Sequence, residues 1–150
     1  MNEISMQNFK HKTPVQIRFK DVDMMGHVNN ANFLTYVEDA RLKYFEDVTG
    51  KDSDWSHQKG LILGRIEINY KLPMHYKDII SVYSKCSRIG NKSFDLSWII
   101  ARESKLNEEN EILAYGVAVL VCYNYEQKKS MEISHERKQQ IEKYEGIQVS

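Results

Sequence analysis

The residues of this chain best suited to chemistry lie close together, within positions 18–41. Asp21, Asp23, Gly26, His27, Asn29, Asn30 and Asn32 fall between a short alternating segment and a run with helical spacing. A carboxylate held ionised at such a place can attack an acyl carbonyl, or draw a proton from a water that does so. The first N–H groups of a helix have no intrahelical acceptor, and the helix dipole favours negative charge beside them. The same groups can hold the oxyanion formed in acyl transfer, where losing one donor typically costs about 3 to 4 kcal/mol in barrier.

Each of these residues also has an ordinary reading. Loop aspartates commonly make turns and caps, and Asp21 is read that way, bonding nearby loop N–H groups. Asp23 is the candidate catalytic carboxylate. His27 can orient that carboxylate or a water, because imidazole donates at one nitrogen and accepts at the other; a loop-shaping role is equally open. Gly26 suits a positive φ or close approach of a ligand. The asparagines more often cap and turn than catalyse, so only the Asn30 N–H enters a mechanism. A calcium loop starting at Asp21 matches at Asp23 and Gly26 but fails at Met25 and at Asn32, where a bidentate Glu is required. Asp21, Asp23 and His27 have plausible ligand types for a metal but lack a second cluster. No metal and no cofactor is expected.

The elements that position these residues follow from periodicity. Phe33, Val37, Ala40, Tyr44 and Val48 recur at spacings of three and four, with Leu34, Arg41 and Phe45 in a second row. Asn29 or Asn30 is a natural N-cap, and Gly50 is placed to stop the helix. Before it, Val15, Ile17 and Phe19 alternate with polar residues as in a half-buried strand. After a polar connection over Lys51–Lys59, Gly60 opens an extended region in which Ile66, Ile68, Tyr70 and Leu72 share one face. Pro73 and the segment His75–Asp78 break it. Ile79–Ile89 is the next strand, Gly90-Asn91 a hairpin signal, and Phe94, Leu96, Trp98 and Ile100 alternate beyond it. Glu103–Glu111 is an exit loop. Ile112–Tyr123 is nearly continuous in apolar and small residues, as in a strand covered on both faces. Glu136–Tyr144 forms a short terminal helix. A sheet with an apolar face must cover it, and one long helix can do so; the fold class is α+β.

A chain of 150 residues fits one domain, taken as 1–150, able to bury roughly 70% of its unfolded surface. Its 21 basic and 21 acidic residues balance, leaving no global field to attract nucleic acid or an anionic membrane. Cys86 and Cys122 sit within strands without metal spacing and read as core residues. With no signal-like or membrane-spanning run, these thiols point to the cytosol.

The residues Asp21, Asp23, Gly26, His27, Val28, Asn29, Asn30, Phe33, Leu34, Tyr36, Glu38, Ala40 and Arg41 give the pattern D-x-D-x-x-G-H-V-N-N-x-x-F-L-x-Y-x-E-x-A-R. This resembles the signature of hotdog-fold acyl-CoA thioesterases of the 4-hydroxybenzoyl-CoA thioesterase type. The resemblance implies a five-stranded antiparallel sheet wrapped around one long central helix, with a homodimer or homotetramer and an acyl pocket at a subunit interface. It implies hydrolysis of an acyl-CoA substrate, with Asp23 as nucleophile or general base and the Asn30 N–H as oxyanion donor. The related acyl-carrier-protein thioesterases of plants use a D-x-N-x-H arrangement with a functional His; here Met25 stands at the middle position. Lys92-Ser93-Phe94 resembles a coenzyme A-contacting triplet, so Arg88 and Lys92, with Arg65, are candidates for the phosphates. Gly26, Val28 and Phe33 complete the expected substrate contacts. An acyl-carrier-protein thioesterase and a non-catalytic acyl-CoA-binding module are the competing readings.

Overall fold

A computed structural model describes residues 5–50, 55–104 and 109–147. Its long helix, α1, spans Asn30–Thr49. The Asn29 side chain caps it, accepting from the Ala31 N–H at 3.0 Å. At its other end Gly50, at φ 89°, donates its N–H to the Glu46 carbonyl. Phe33, Tyr36, Val37, Ala40, Tyr44 and Phe45 are buried along one side, the face that the three-and-four spacing predicts.

That face lies on a curled antiparallel sheet of β1 (His11–Val15), β2 (Gly60–Tyr70), β3 (Ile80–Ile89), β4 (Ser93–Arg102), β5 (Glu111–Asn124) and β6 (Lys129–Ser130). The strand order is β1-β3-β4-β5-β2, with the two-residue β6 beside the end of β5. This is the hotdog arrangement, with β6 as an addition. Around the first half of α1, Phe33, Tyr36, Val37 and Ala40 pack with Met74, Val82, Trp98, Ile100 and Leu113. Around the second half, Tyr44 and Phe45 pack with Cys86, Phe94, Leu96, Leu120 and Cys122. Cys86 and Cys122 are both buried core residues, as expected, and that burial pushes the Cys86 thiol up to about 12 and raises that of Cys122 as well.

The terminal helix, α2, spans His135–Glu145 and begins with Ser134 accepting from the Arg137 N–H. Its last residue ties three elements together. One oxygen of Glu145 accepts from the Tyr44 hydroxyl at 2.6 Å and from the Cys86 N–H at 3.1 Å.

Three expectations change. The first strand begins earlier and ends at Val15. Proline is tolerated at a sheet edge, where its missing N–H breaks no ladder, so the polar segment containing Pro14 pairs with β3. Phe19, expected inside that strand, begins a 3₁₀ turn over Phe19–Asp21 and is 81% exposed. Burial of Asp21 turns the chain there. Second, β5 is buried on one face only. Ala114, Gly116, Ala118, Leu120 and Cys122 face α1, whereas Tyr115, Val117, Val119 and Val121 are half-buried, because the sheet is a single layer with α1 on one side. Third, Tyr70 and Leu72 are exposed, since β2 is the opposite edge of the sheet. Parts of the Lys51–Lys59 connection and the Glu103–Glu111 exit loop lie outside the described residues.

Gly116 lies opposite Trp98 on β4 and Ile68 on β2. A Cβ there would overlap the Glu67 carbonyl oxygen and meet Trp98 Cζ2 at 2.8 Å. Gly116→Ala is therefore expected to destabilise the fold by about 3 kcal/mol, the upper part of the overpacking range, measured by urea unfolding. A loss below about 0.5 kcal/mol would mean that β2 and β5 separate freely at this point.

Candidate active site

The loop between β1 and α1 is built on Asp21, which is 2% exposed. Its Oδ2 accepts from the Tyr36 hydroxyl at 2.7 Å and from the Arg18 N–H at 3.2 Å, with the Arg18 guanidinium at 3.5 Å. Burial acts to raise the Asp21 pKa, but these Tyr36 and Arg18 bonds overcome it and hold the group below its ordinary value. Burial and the Asp21 carboxylate together push the Tyr36 hydroxyl up. The Asp21 carbonyl accepts from the Asn29 N–H and the Asn32 side-chain amide. Asp21 thus joins the loop to the start of the helix, the structural role expected of it.

Beyond this pin the chain makes a small hairpin. Val22 bridges Val28, the Asp23 N–H donates to the His27 carbonyl at 2.8 Å, and the Gly26 N–H to the Asp23 carbonyl at 3.1 Å. Gly26 has φ 80° and open space around its Cβ direction, so glycine is needed there for its backbone conformation. Asp23 is exposed. Its Oδ1 accepts from the Met25 and His27 N–H groups at 2.9 and 3.1 Å, while Oδ2 has no partner among the described residues. A carboxylate fixed through one oxygen and open through the other can act as nucleophile or base.

The next residues separate into core and surface. Val28 and Phe33 are 4% and 1% exposed, respectively, within the core beneath the loop. Phe33 meets the Tyr70 ring edge-on at 5.3 Å, and the Tyr70 hydroxyl donates to the Asn30 carbonyl at 3.1 Å. The Asn30 N–H, in the first turn of α1, has no acceptor among the described residues. It is an available donor for an oxyanion.

Sequence reasoning missed the segment that flanks the loop, treating Pro73 to Asp78 only as a break between strands. The Val28 N–H donates to the Met74 carbonyl at 2.8 Å, the Tyr76 N–H to the Gly26 carbonyl at 3.4 Å, and His27 bridges His75. The two imidazole rings meet edge-on at 4.8 Å. The only sequence signal was the polar density at His75–Asp78. A cleft of about 540 Å³ bordered by Val15, Ile17, Tyr76, Asp78 and Ile79 opens beside this segment. A second cavity, of about 440 Å³, lies at the far end of α1 among Leu42, Phe45, Trp55 and Leu61.

The candidate phosphate cations are not gathered at the loop. Arg65 is an exposed residue of β2 beside Glu67. Arg88 pairs with Asp95 at 3.0 Å near the hairpin end of β3, and Lys92 is exposed in that turn. Strand β3 begins near Met74 and Val28, so Arg88 lies roughly 25 Å along it from the loop end. Asp21 is buried and Asp23 exposed, and no group of three or more His, Cys, Asp or Glu side chains among the described residues is arranged to hold a metal ion.

Residues 17–141 match the model of the thioesterase-like superfamily. The chain is 26% identical over 131 residues to the long-chain acyl-CoA thioesterase FadM of Escherichia coli, covering 87% of this chain and 96% of that protein. A thioesterase from Thermus thermophilus, solved in complex with coenzyme A and Zn, superposes with a TM-score of 0.79 at 27% identity, covering 95% of this chain and 98% of that one. The probable thioesterase YbaW of Escherichia coli superposes with a TM-score of 0.70 at 27% identity, over 88% and 96% of the two chains.

The depressed Asp21 carboxyl gives a pH-dependent stability of definite sign. Its contribution is complete above the unfolded value of about 3.9 and is lost as pH falls through the lower folded value. Tyr36→Phe removes the shortest bond to this carboxylate and is expected to cost about 1.5 to 3 kcal/mol at neutral pH. The loss should shrink in acid, as measured by unfolding midpoints across pH. A loss independent of pH would contradict the ionised state of Asp21.

Proposed function

We infer that this chain, which belongs to the thioesterase-like superfamily and is a thioester hydrolase, hydrolyses an acyl-CoA ester to the free acid and coenzyme A. The observation that carries the mechanism is that one loop–helix junction holds both a half-satisfied carboxylate and an unpaired helix N–H. Asp23 presents one fixed and one open oxygen, and Asn30 begins α1 without an acceptor for its amide. The similarity to a long-chain acyl-CoA thioesterase, and to a thioesterase solved with coenzyme A, supports the choice of substrate.

The reaction adds water across the acyl carbon–sulfur bond. As general base, Asp23 takes a proton from the attacking water, the carbonyl oxygen becomes an oxyanion held by the Asn30 N–H, and collapse expels the thiolate, which receives the proton. As nucleophile, Asp23 forms a mixed anhydride that water then cleaves, with the same products. His27 borders Asp23 through its backbone N–H, a loop-shaping position; its ring faces His75.

Arg88 stands near the hairpin end of β3 and Lys92 in the turn beyond it, both away from the loop of their own chain. A homodimer or homotetramer that brings the hairpin of one copy beside the loop of another reconciles them with binding the phosphates. The exposed Phe19, Met24, Met25 and Ile79 around the loop fit a surface covered by such a partner. The cytosol is the proposed location, because two buried unpaired thiols suit a reducing compartment. Among the described residues no helix is long and apolar enough to cross a membrane.

Thiol release from short, long and aromatic acyl-CoA esters, compared for the wild type and Asp23→Asn, tests this reading. Turnover by the wild type is expected to fall by about 10³-fold or more in the variant, with KM little changed. Binding of acyl-CoA with no thiol release by either protein would favour the non-catalytic binding module.

A further inference from the structure

We propose that Arg102 and Asp78 form a positioning pair for the loop that carries Asp23. The proposal rests on the reading of Asp23 as the reacting carboxylate. Asp23, Met24 and Met25 stand outside the core, and among the described residues the backbone hydrogen bonds of the hairpin tip that holds them are its own turn bonds and those toward residues 74–76. A displacement of about 1 Å in a reacting group can cost on the order of 100-fold in rate. Whatever fixes the 73–78 segment therefore fixes the catalytic geometry.

Met74 anchors that segment in the core, and among the described residues Arg102 supplies the side-chain hydrogen bonds that tie it to the sheet. Arg102, at the end of β4, donates from Nη1 to Asp78 Oδ2 at 2.9 Å and to the Pro73 carbonyl at 3.3 Å, while its Nη2 lies 3.3 Å from Glu111 Oε1 on β5. The same Asp78 oxygen accepts from the His75 N–H at 2.8 Å, and the Asp78 N–H donates to the His75 carbonyl at 3.0 Å. His75 then bridges His27, flanked by the Val28-to-Met74 and Tyr76-to-Gly26 bonds. The path runs from β5 and β4 through Arg102, Asp78 and His75 to His27, whose N–H bonds the Asp23 carboxylate. Arg102 and Asp78 are 17% and 16% exposed. Partly buried ion pairs add little stability over apolar replacements, but a guanidinium grips several acceptors at fixed angles, as an ammonium does not. Arg102 touches neither Asp23 nor the open oxygen and acts through the segment.

The experiment combines steady-state kinetics on an acyl-CoA ester with amide hydrogen exchange, for Arg102→Gln, Arg102→Lys and Asp78→Asn. Arg102→Gln and Asp78→Asn are expected to lower kcat by roughly 10- to 100-fold with KM held within about twofold. Exchange should accelerate at His27, Val28 and Tyr76 and not at the core amides of β4. Arg102→Lys should recover part of kcat. Unchanged kcat and loop exchange in Arg102→Gln would overturn the proposal, as would exchange accelerating equally throughout the sheet, which marks a merely structural role. Asp23→Asn, assayed alongside, separates the two readings. If it retains turnover, the Asp23 assignment fails, and loop exchange in Arg102→Gln alone decides whether the pair holds the loop.

Discussion

A carboxylate removed from water persists only where hydrogen bonds replace the water, and the geometry of this protein's site depends on one such group. Asp21 is buried between the loop and the first turns of α1, with the Tyr36 hydroxyl and the Arg18 N–H supplying those bonds. Breaking a buried charge away from its partners is strongly unfavourable, so these bonds hold the chain in its path from β1 into α1. The 3₁₀ turn at Phe19–Asp21, the exposure of Phe19 and the direction in which residue 23 leaves the core follow from that placement. The two aspartates of the motif are placed differently: Asp21 is buried, and Asp23 is exposed.

Presentation alone leaves the loop attached at its base. Its outer side is secured by the 74–76 segment and, through Asp78, by Arg102 on the sheet. On the α1 side stands the first-turn amide of Asn30, the oxyanion donor of the proposed mechanism, while Tyr70 bonds the Asn30 carbonyl from the edge strand β2. In the proposed mechanism, a small α+β chain of a thioesterase family places its base and its oxyanion donor through backbone geometry, with few side chains committed to chemistry.

The parts legible in the sequence were those written in side-chain spacing. The helix face, its Asn29 cap, the turn glycine at Gly26 and the alternation of Phe94, Leu96, Trp98 and Ile100 all reflect burial or backbone needs that only certain residue types satisfy. The missed parts are of another kind. Residues 74–76 hold the loop through backbone N–H and carbonyl groups, which carry no side-chain signature. Tyr36 stands in the sequence only as a motif position, and only the fold shows that its hydroxyl meets Asp21. The strand containing Pro14 was hidden because edge positions relax the rules that define central strands. Arg88 and Lys92 are near a turn in sequence, and nothing in their spacing measures the length of strand between them and Asp23.

The most direct measurement is the structure of the protein with a ketone analogue of an acyl-CoA, in which a methylene replaces the thioester sulfur and the carbonyl survives. The account predicts that carbonyl oxygen within about 3 Å of the Asn30 nitrogen, with Asp23 Oδ2 facing the carbonyl carbon directly or through one water. An analogue whose carbonyl is turned away from Asn30, or seated at the far end of α1 beside Trp55, would contradict it.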